Sequence, residues 1–411
     1  MHEVAIIGAG AAGIACAKEA LKRGLKTLLI EESKESLGGT CINRGCIPTK
    51  FFLKYSHTSG TWLDSFKGSQ EIIKKIKAPI IPFLEKQGLN FLWGKARFLG
   101  KNSLDVAGVS VKAKNIIIAT GSSPRTIINN SKVIFADDLF SKDIIGDKIL
   151  IIGAGYIGLE VASILSNFGK DIKLIEKEDR ILSSFDSYLA ARLRVILERK
   201  GIKIEIDRNI KDYNLGDFDL IISAVGRVPN LESLDIEALR LAKNPGGWIR
   251  TDSFLRTSLK GVYACGDVTG KKLLAYVAEY QAQLCINNIS GKKQREDYKG
   301  LGECVFSSPA VAKVGILEDE AKNKGIKYEV VKSNFMKFSS SYVYGDADGF
   351  IKIIIDKRKR IIGAGIISQA AGELINILSL CIKNNLTVND LRKCAFIHPT
   401  LSEIIPQLLN F

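Results

Sequence analysis

Residues 4 to 31, VAIIGAGAAGIACAKEALKRGLKTLLIE, realign on residues 149 to 176, ILIIGAGYIGLEVASILSNFGKDIKLIE, at a constant offset of 145 residues. Gly8, Gly10, Gly13, Gly24 and Glu31 fall on Gly153, Gly155, Gly158, Gly169 and Glu176. Each copy reads as a short apolar strand, a GxGxxG turn, a helix ending near a glycine, and a second apolar strand ending in glutamate. A chain that carries this βαβ unit twice is directed towards two Rossmann-like α/β domains.

The turns also specify chemistry. The first glycine permits a tight bend, the second lets backbone approach a pyrophosphate at the helix N-terminus, and the third brings helix close to strand. Glu31 and Glu176, each 18 residues beyond the third glycine, are placed to accept hydrogen bonds from ribose hydroxyls. Two dinucleotides are therefore expected. At the second turn, which includes Tyr156 and Ile157, Glu176 would repel a 2′-phosphate and no arginine stands in its place, so NAD is favoured over NADP despite the nearby Lys177 and Arg180. Two further apolar stretches end in glycine: NIIIATGSSPR (115–125), with Thr120 and Gly121, and DLIISAVGRVPN (219–230), with Gly226. A third, GVYACGDVTG (261–270), places Asp267 just past its strand. Such ends let a cofactor lie against backbone at the carboxyl edge of a parallel sheet.

Of eight cysteines only Cys41 and Cys46, in LGGTCINRGCIPTK, are close in sequence. Five residues of regular helix rise about 7.5 Å, too far for a disulfide, so both cannot sit in regular helix and still bond. Cys41 is expected in the glycine-flanked approach and Cys46 at the first turn of a helix, where Pro48 fits and the helix terminus favours a thiolate. Lys50, four residues on, shares that helix face. A metal site is the competing reading, but no second close cysteine pair exists and the chain has three histidines, so redox use is favoured and no metal is expected.

The net charge of +15 comes from lysines spread along 411 residues rather than massed in one arm, which argues against nucleic acid as partner. KKQRED reads as a solvated linker and DKRKR, after the alternating GFIKIIID, as a hairpin turn. The opening MHEVAIIGAG passes directly into an apolar run and a glycine loop, so no secretion signal is expected. The longest apolar stretch, 149–168, contains Glu160, so no membrane span is expected and a reducing, cytoplasmic setting is.

LGGTCINRGCIPTK resembles the active-site signature of the flavin-dependent pyridine nucleotide-disulfide oxidoreductases, and within them the dihydrolipoamide dehydrogenase branch. The resemblance spans nearly the whole chain, adding the ATG strand, ACGD, and a C-terminal region with SSPAVAKVG, DGFIKI and HPTLSE. It implies an FAD-binding domain (1–140), an NAD-binding domain (141–250), a central return to the FAD region (251–298) and an α+β dimerisation domain (299–411). It also implies FAD between nicotinamide on one face and the redox pair on the other. Cys46 would be the flavin-proximal, charge-transfer thiolate and Cys41 the interchange thiol. Lys50 would approach the flavin and pair with Glu160, Asp267 would bind the ribityl chain, Glu31 the adenosine ribose, and Gly39, Thr40, Ala96, Thr120 and Gly121 other parts of FAD. His398, oriented by Glu403, would be the acid–base group, completing the active site of the other subunit of a homodimer; by itself TLSE reads equally as a capping box with Thr400 at the N-cap. The implied disulfide partner is a lipoamide-bearing protein, or alternatively another small-molecule or protein disulfide, as in glutathione reductase.

The chain departs from the family pattern at Phe396 and Tyr276, where histidine is common, and between Ile210 and Asp217, where too few residues remain for the usual hairpin.

Overall fold

A computed structural model describes all residues except 59, 129, 142–145 and 411. His2–Ile7, fully buried from Val4 onward, runs parallel to Thr27–Glu31 on one side and Val109–Ile118 on the other; Val4 lies in register with both Thr27 and Asn115. Asn90–Trp93 extends this sheet past Thr27–Glu31, and Val262–Ala264 joins it beside Val109–Ile118. Ser103–Val106 and Ala96–Gly100 continue it antiparallel, giving seven strands. The parallel strands are apolar on both faces because both are covered. On one side lie helices Ala11–Lys22 and Ala275–Ile289, packed through Cys16, Ala17, Ala282 and Cys285.

The second repeat builds a fully parallel sheet in the order Lys203–Glu205, Asp171–Ile175, Lys148–Ile152, Leu220–Ser223, Val133–Phe135. This corrects the expected division at 140/141 and 250/251. The edge strand Val133–Phe135 precedes the expected start, while Leu234, Ile236, Leu241 and Ile249 pack in the core of the first sheet. Apolar burial, not proximity in sequence to the glycine turn, decides which unit these segments join. Between the last two strands in chain order, the shortened stretch forms two 3-10 turns, Ile210–Asp212 and Leu215–Asp217, in place of a hairpin.

The C-terminal unit is a five-stranded antiparallel sheet with helices Ala371–Lys383 and Ile404–Leu409 on its core face. DKRKR turns the hairpin between Phe350–Asp356 and Ile361–Ser368, with Lys359 at φ +62°. Lys352 of this sheet is fully buried and reaches Asp186 of the second unit at 2.6 Å. Asp186 also caps helix Ser187–Arg199 by accepting from the Tyr188 and Leu189 N–H groups, so one buried pair ties two units together. Among the described residues no helix is long and apolar enough to cross a membrane.

Candidate active site

Both glycine turns have the same local geometry. Helices Ala11–Lys22 and Tyr156–Asn167 start from Gly10 and Gly155 with no side-chain cap, leaving first-turn N–H groups available to an anion. A Cβ on Gly13 would lie 1.7 Å from the Gly8 carbonyl oxygen and one on Gly158 1.8 Å from that of Gly153, so neither position tolerates a side chain. At Gly155, Gly121 and Gly226 nothing stands within 4 Å of such an atom; the loops front open space. Glu31 accepts from the Ala9 N–H, and Glu176 from the Ala154 N–H at 2.7 Å. Each acid thus braces the turn it follows. Its second oxygen accepts a neighbouring N–H, from Glu32 or Glu178, which still leaves lone pairs for ribose. Lys177 pairs with Glu178 at 3.3 Å and Arg180 donates to the Ser183 carbonyl.

The cysteine stretch is built onto the first turn. Gly38 N–H donates to the Ala9 carbonyl at 2.8 Å, and a Cβ on Gly39 would meet Gly10 Cα at 2.8 Å, so only glycine permits this approach. Cys41 lies in the glycine-flanked approach as expected, and there forms part of a short helix of its own, Gly39–Asn43; Arg44 and Gly45 break it before helix Cys46–Tyr55 begins. Two helices with a break between them bring the thiols together where one continuous helix could not. Thr40 is exposed beside Cys41. Asn43, which the sequence reading missed, holds the loop by donating to the Gly39 and Leu37 carbonyls at 2.8 and 3.0 Å.

The thiols hydrogen-bond each other. That bond raises Cys41 far above the ordinary thiol range, helped by burial, and lowers Cys46, which also gains from a backbone bond at its helix start. Of the two thiols, Cys46 is therefore the one that ionises more readily.

Among the described residues no salt bridge joins Lys50 to Glu160, although the Lys50 charge acts on that carboxyl. Lys50 Nζ sits over the Phe306 ring, 4.1 Å from its centroid. Glu160 accepts the Phe306 N–H at 3.0 Å. Burial pushes the Glu160 carboxyl up to about 7, opposed by the Phe306 bond and by the Lys50 charge. Phe306 thus touches both, its ring Lys50 and its N–H Glu160, and no spacing rule pointed to it. Tyr156 bonds through its hydroxyl to Glu303 of the C-terminal sheet; Ile157 packs against the second unit's core. Ala96 is buried to 3% in the core of the first sheet, so its methyl serves packing.

Thr120 and Gly121 are clamped to the strand after Gly226: Thr120 Oγ1 donates to the Asn230 carbonyl at 2.7 Å, and Asn230 N–H to the Gly121 carbonyl at 3.1 Å. Asp267 accepts from Ser122 Oγ at 2.7 Å, and burial raises its carboxyl. His398 Nδ1 lies 2.9 Å from Glu403 Oε2. Thr400 makes no capping bond; its hydroxyl goes to the Ile397 carbonyl, so the capping-box reading of TLSE does not hold. Within one chain no hydrogen bond or ion pair among the described residues joins His398 to the thiols. Phe396 packs against the C-terminal core and the Tyr276 hydroxyl donates to the Gly302 carbonyl at 2.6 Å.

Uncapped helix termini, turns closed to any side chain, braced acids and a polarised thiol pair define a dinucleotide-dependent dithiol/disulfide oxidoreductase. A family profile described as pyridine nucleotide-disulphide oxidoreductase matches residues 2–282, and the dimerisation domain of the same family matches 302–409. The chain belongs to the pyridine nucleotide-disulphide oxidoreductase family; it is an FAD- and NAD(H)-dependent enzyme with a homodimerisation domain. Dihydrolipoyl dehydrogenase 2, mitochondrial, of Arabidopsis thaliana is 30% identical over 453 residues, covering 99% of this chain and 89% of the relative. Dihydrolipoyl dehydrogenase of Chlamydia trachomatis is 30% identical over 439 residues, covering 97% and 94%. Among solved structures, the HOCl-induced flavoprotein disulfide reductase RclA from Escherichia coli superposes with a TM-score of 0.93 at 27% identity, covering 100% of this chain and 99% of that one.

Proposed function

We propose that the chain oxidises a dithiol carried on a protein, lipoamide above all, at the expense of NAD, and so acts as a dihydrolipoyl dehydrogenase in the cytoplasm that its cysteine usage suggests. The observation that carries this reading is the placement of the cysteine stretch, packed through Gly38 and Gly39 against the first glycine turn with Cys46 opening its own helix.

We assign FAD to the first glycine turn, with Gly8, Gly10, Gly13, Glu31, Gly39, Thr40, Thr120, Gly121 and Asp267, because the cysteine stretch is built against it. NAD(H) falls to the second, with Gly153, Gly155, Tyr156, Ile157, Gly158, Glu176 and Gly226. When bound, FAD supplies two-electron exchange between nicotinamide and sulfur. The protein steps follow from the residues. A substrate thiolate attacks Cys41 Sγ, the Cys41–Cys46 bond breaks, and Cys46 leaves as the stabilised thiolate. The second substrate thiolate attacks the mixed disulfide, closing the product ring and releasing Cys41. His398, its Nδ1 fixed by Glu403, uses Nε2 to take the protons of the substrate dithiol: one is passed to Cys41 as it leaves, and the other stays on the imidazole, balancing the Cys46 thiolate. The imidazole side chain is 68% exposed against 6% for Glu403, which supports its use by the thiol pair of the partner subunit. Lys50 supplies positive charge on the Cys46 helix face.

Phe396 and Tyr276, where dihydrolipoyl dehydrogenases commonly carry histidine, favour a second reading in which another small-molecule or protein disulfide is reduced with NAD(P)H. Turnover of dihydrolipoamide with NAD, against glutathione disulfide with NADH or NADPH, separates the two; absence of dihydrolipoamide turnover removes the first.

A further inference from the structure

Asp267 does not stand alone. Ser122 Oγ donates to Asp267 Oδ2 at 2.7 Å and itself accepts from Arg227 Nε at 2.8 Å. Arg227 Nη2 donates to the Ser122 carbonyl at 2.7 Å, and Nη1 reaches both carboxylate oxygens of Asp137, at 2.8 and 3.0 Å. The pair is nearly enclosed, with side chains 9% and 12% exposed. Its members come from different units. Asp137 lies on helix Ala136–Leu139, whose Ala136 and Leu139 pack in the core that includes Ile149, Ile151 and Leu159 of the second unit. Ser122 and Arg227 lie on the two-stranded antiparallel connector of Ser122–Pro124 and Arg227–Pro229. Asp267 opens a 3-10 turn after Val262–Ala264 of the first sheet.

We propose that Asp137, Arg227 and Ser122 form a positioning relay that fixes one oxygen of Asp267 and presents the other to the flavin side chain, so that flavin retention depends on an acid anchored in the NAD-binding unit. This rests on the assignment of Asp267 to FAD. Oδ1 of Asp267 has no protein donor among the described residues; Nε and Nη2 of Arg227 both bond Ser122, and Nη1, shared between the two oxygens of Asp137, anchors the third corner of the guanidinium, so the plane from which Ser122 takes its orientation is fixed. Asp267 faces Ser122 and Arg227, with Asp137 beyond them and the thiols of Cys41 and Cys46 nearby. Loss of Arg227 removes the cation whose charge holds the carboxyl of this buried acid down. The acid then takes up a proton at higher pH and becomes a poorer acceptor for a hydroxyl.

The test is FAD release from the purified holoenzyme, followed as free-flavin fluorescence between pH 6 and pH 8.5. Arg227→Met is expected to release FAD at least tenfold faster at pH 6 than at pH 8.5, against a flat wild type. Asp137→Asn loosens Arg227 but also removes a negative charge that raises the Asp267 carboxyl, so it should speed release by a smaller factor without the excess at pH 6, with Arg227→Lys between wild type and Arg227→Met. If Arg227→Met does not fold, Asp137→Asn decides. Wild-type release rates in these variants, or in Arg227→Met an acceleration equal at both pH values, overturn the relay. Asp267→Asn separates the two levels: release at the wild-type rate refutes the flavin assignment of Asp267 itself, whereas fast release there with unchanged release in Asp137→Asn and Arg227→Met refutes the relay alone.

Discussion

His398 Nδ1 and Glu403 Oε2 lie 2.9 Å apart, with the imidazole in solvent and the carboxylate buried. The carboxylate spends its hydrogen bonds on the ring rather than on a helix cap, which fixes the tautomer that leaves Nε2 free as a base. His398→Ala should therefore cut dithiol turnover by about 10²- to 10⁴-fold, while NADH still bleaches the flavin at the wild-type rate in stopped flow. Glu403→Gln should cost less, on the order of tenfold. Equal loss of both half-reactions in His398→Ala would remove the proposed base.

The two glycine turns make separable predictions. Gly13 and Gly158 each abut a carbonyl oxygen that no Cβ can share. Purified Gly158→Ala should keep its yellow colour and lose reduction by NADH, whereas Gly13→Ala should lose flavin. The reverse pattern, read from flavin absorbance and NADH bleaching, would exchange the two cofactor assignments.

Glu160 predicts a pH dependence. Its folded value, near 7, lies above the ordinary carboxylate range, so the fold prefers the neutral acid. Stability from this group is complete below the ordinary value and is lost as pH rises through 7. Between pH 5.5 and 8.5 the loss is about 2 kcal/mol. Glu160→Gln should remove it, so urea midpoints of variant and wild type diverge in the variant's favour towards pH 8.5. Parallel curves would show that Glu160 is not held in a desolvated site.

Much of this was legible because periodicity and glycine spacing act locally. The two glycine turns, the helix start at Cys46 and the hairpin at DKRKR all follow from residues close in sequence. What escaped was set by contacts across the chain. Phe306 contacts both Lys50 and Glu160 from 146 residues beyond Glu160, and Val133–Phe135 joins the second sheet because Leu220–Ser223 offers it a parallel edge. TLSE carries two meanings in sequence, and only the packed loop shows Glu403 turned to His398. Helix rise correctly excluded one continuous helix through both cysteines, but it could not show that Cys41 would take a short helix of its own.

The central claim is that electrons from NADH arrive at Cys41 and Cys46. Anaerobic titration of the holoenzyme with NADH, with thiols counted by a disulfide reagent before and after, tests it most directly. The account predicts two additional thiols per subunit together with a long-wavelength charge-transfer band, and loss of that band in Cys46→Ser. A flavin that bleaches without new thiols, or a band that persists in Cys46→Ser, would contradict it.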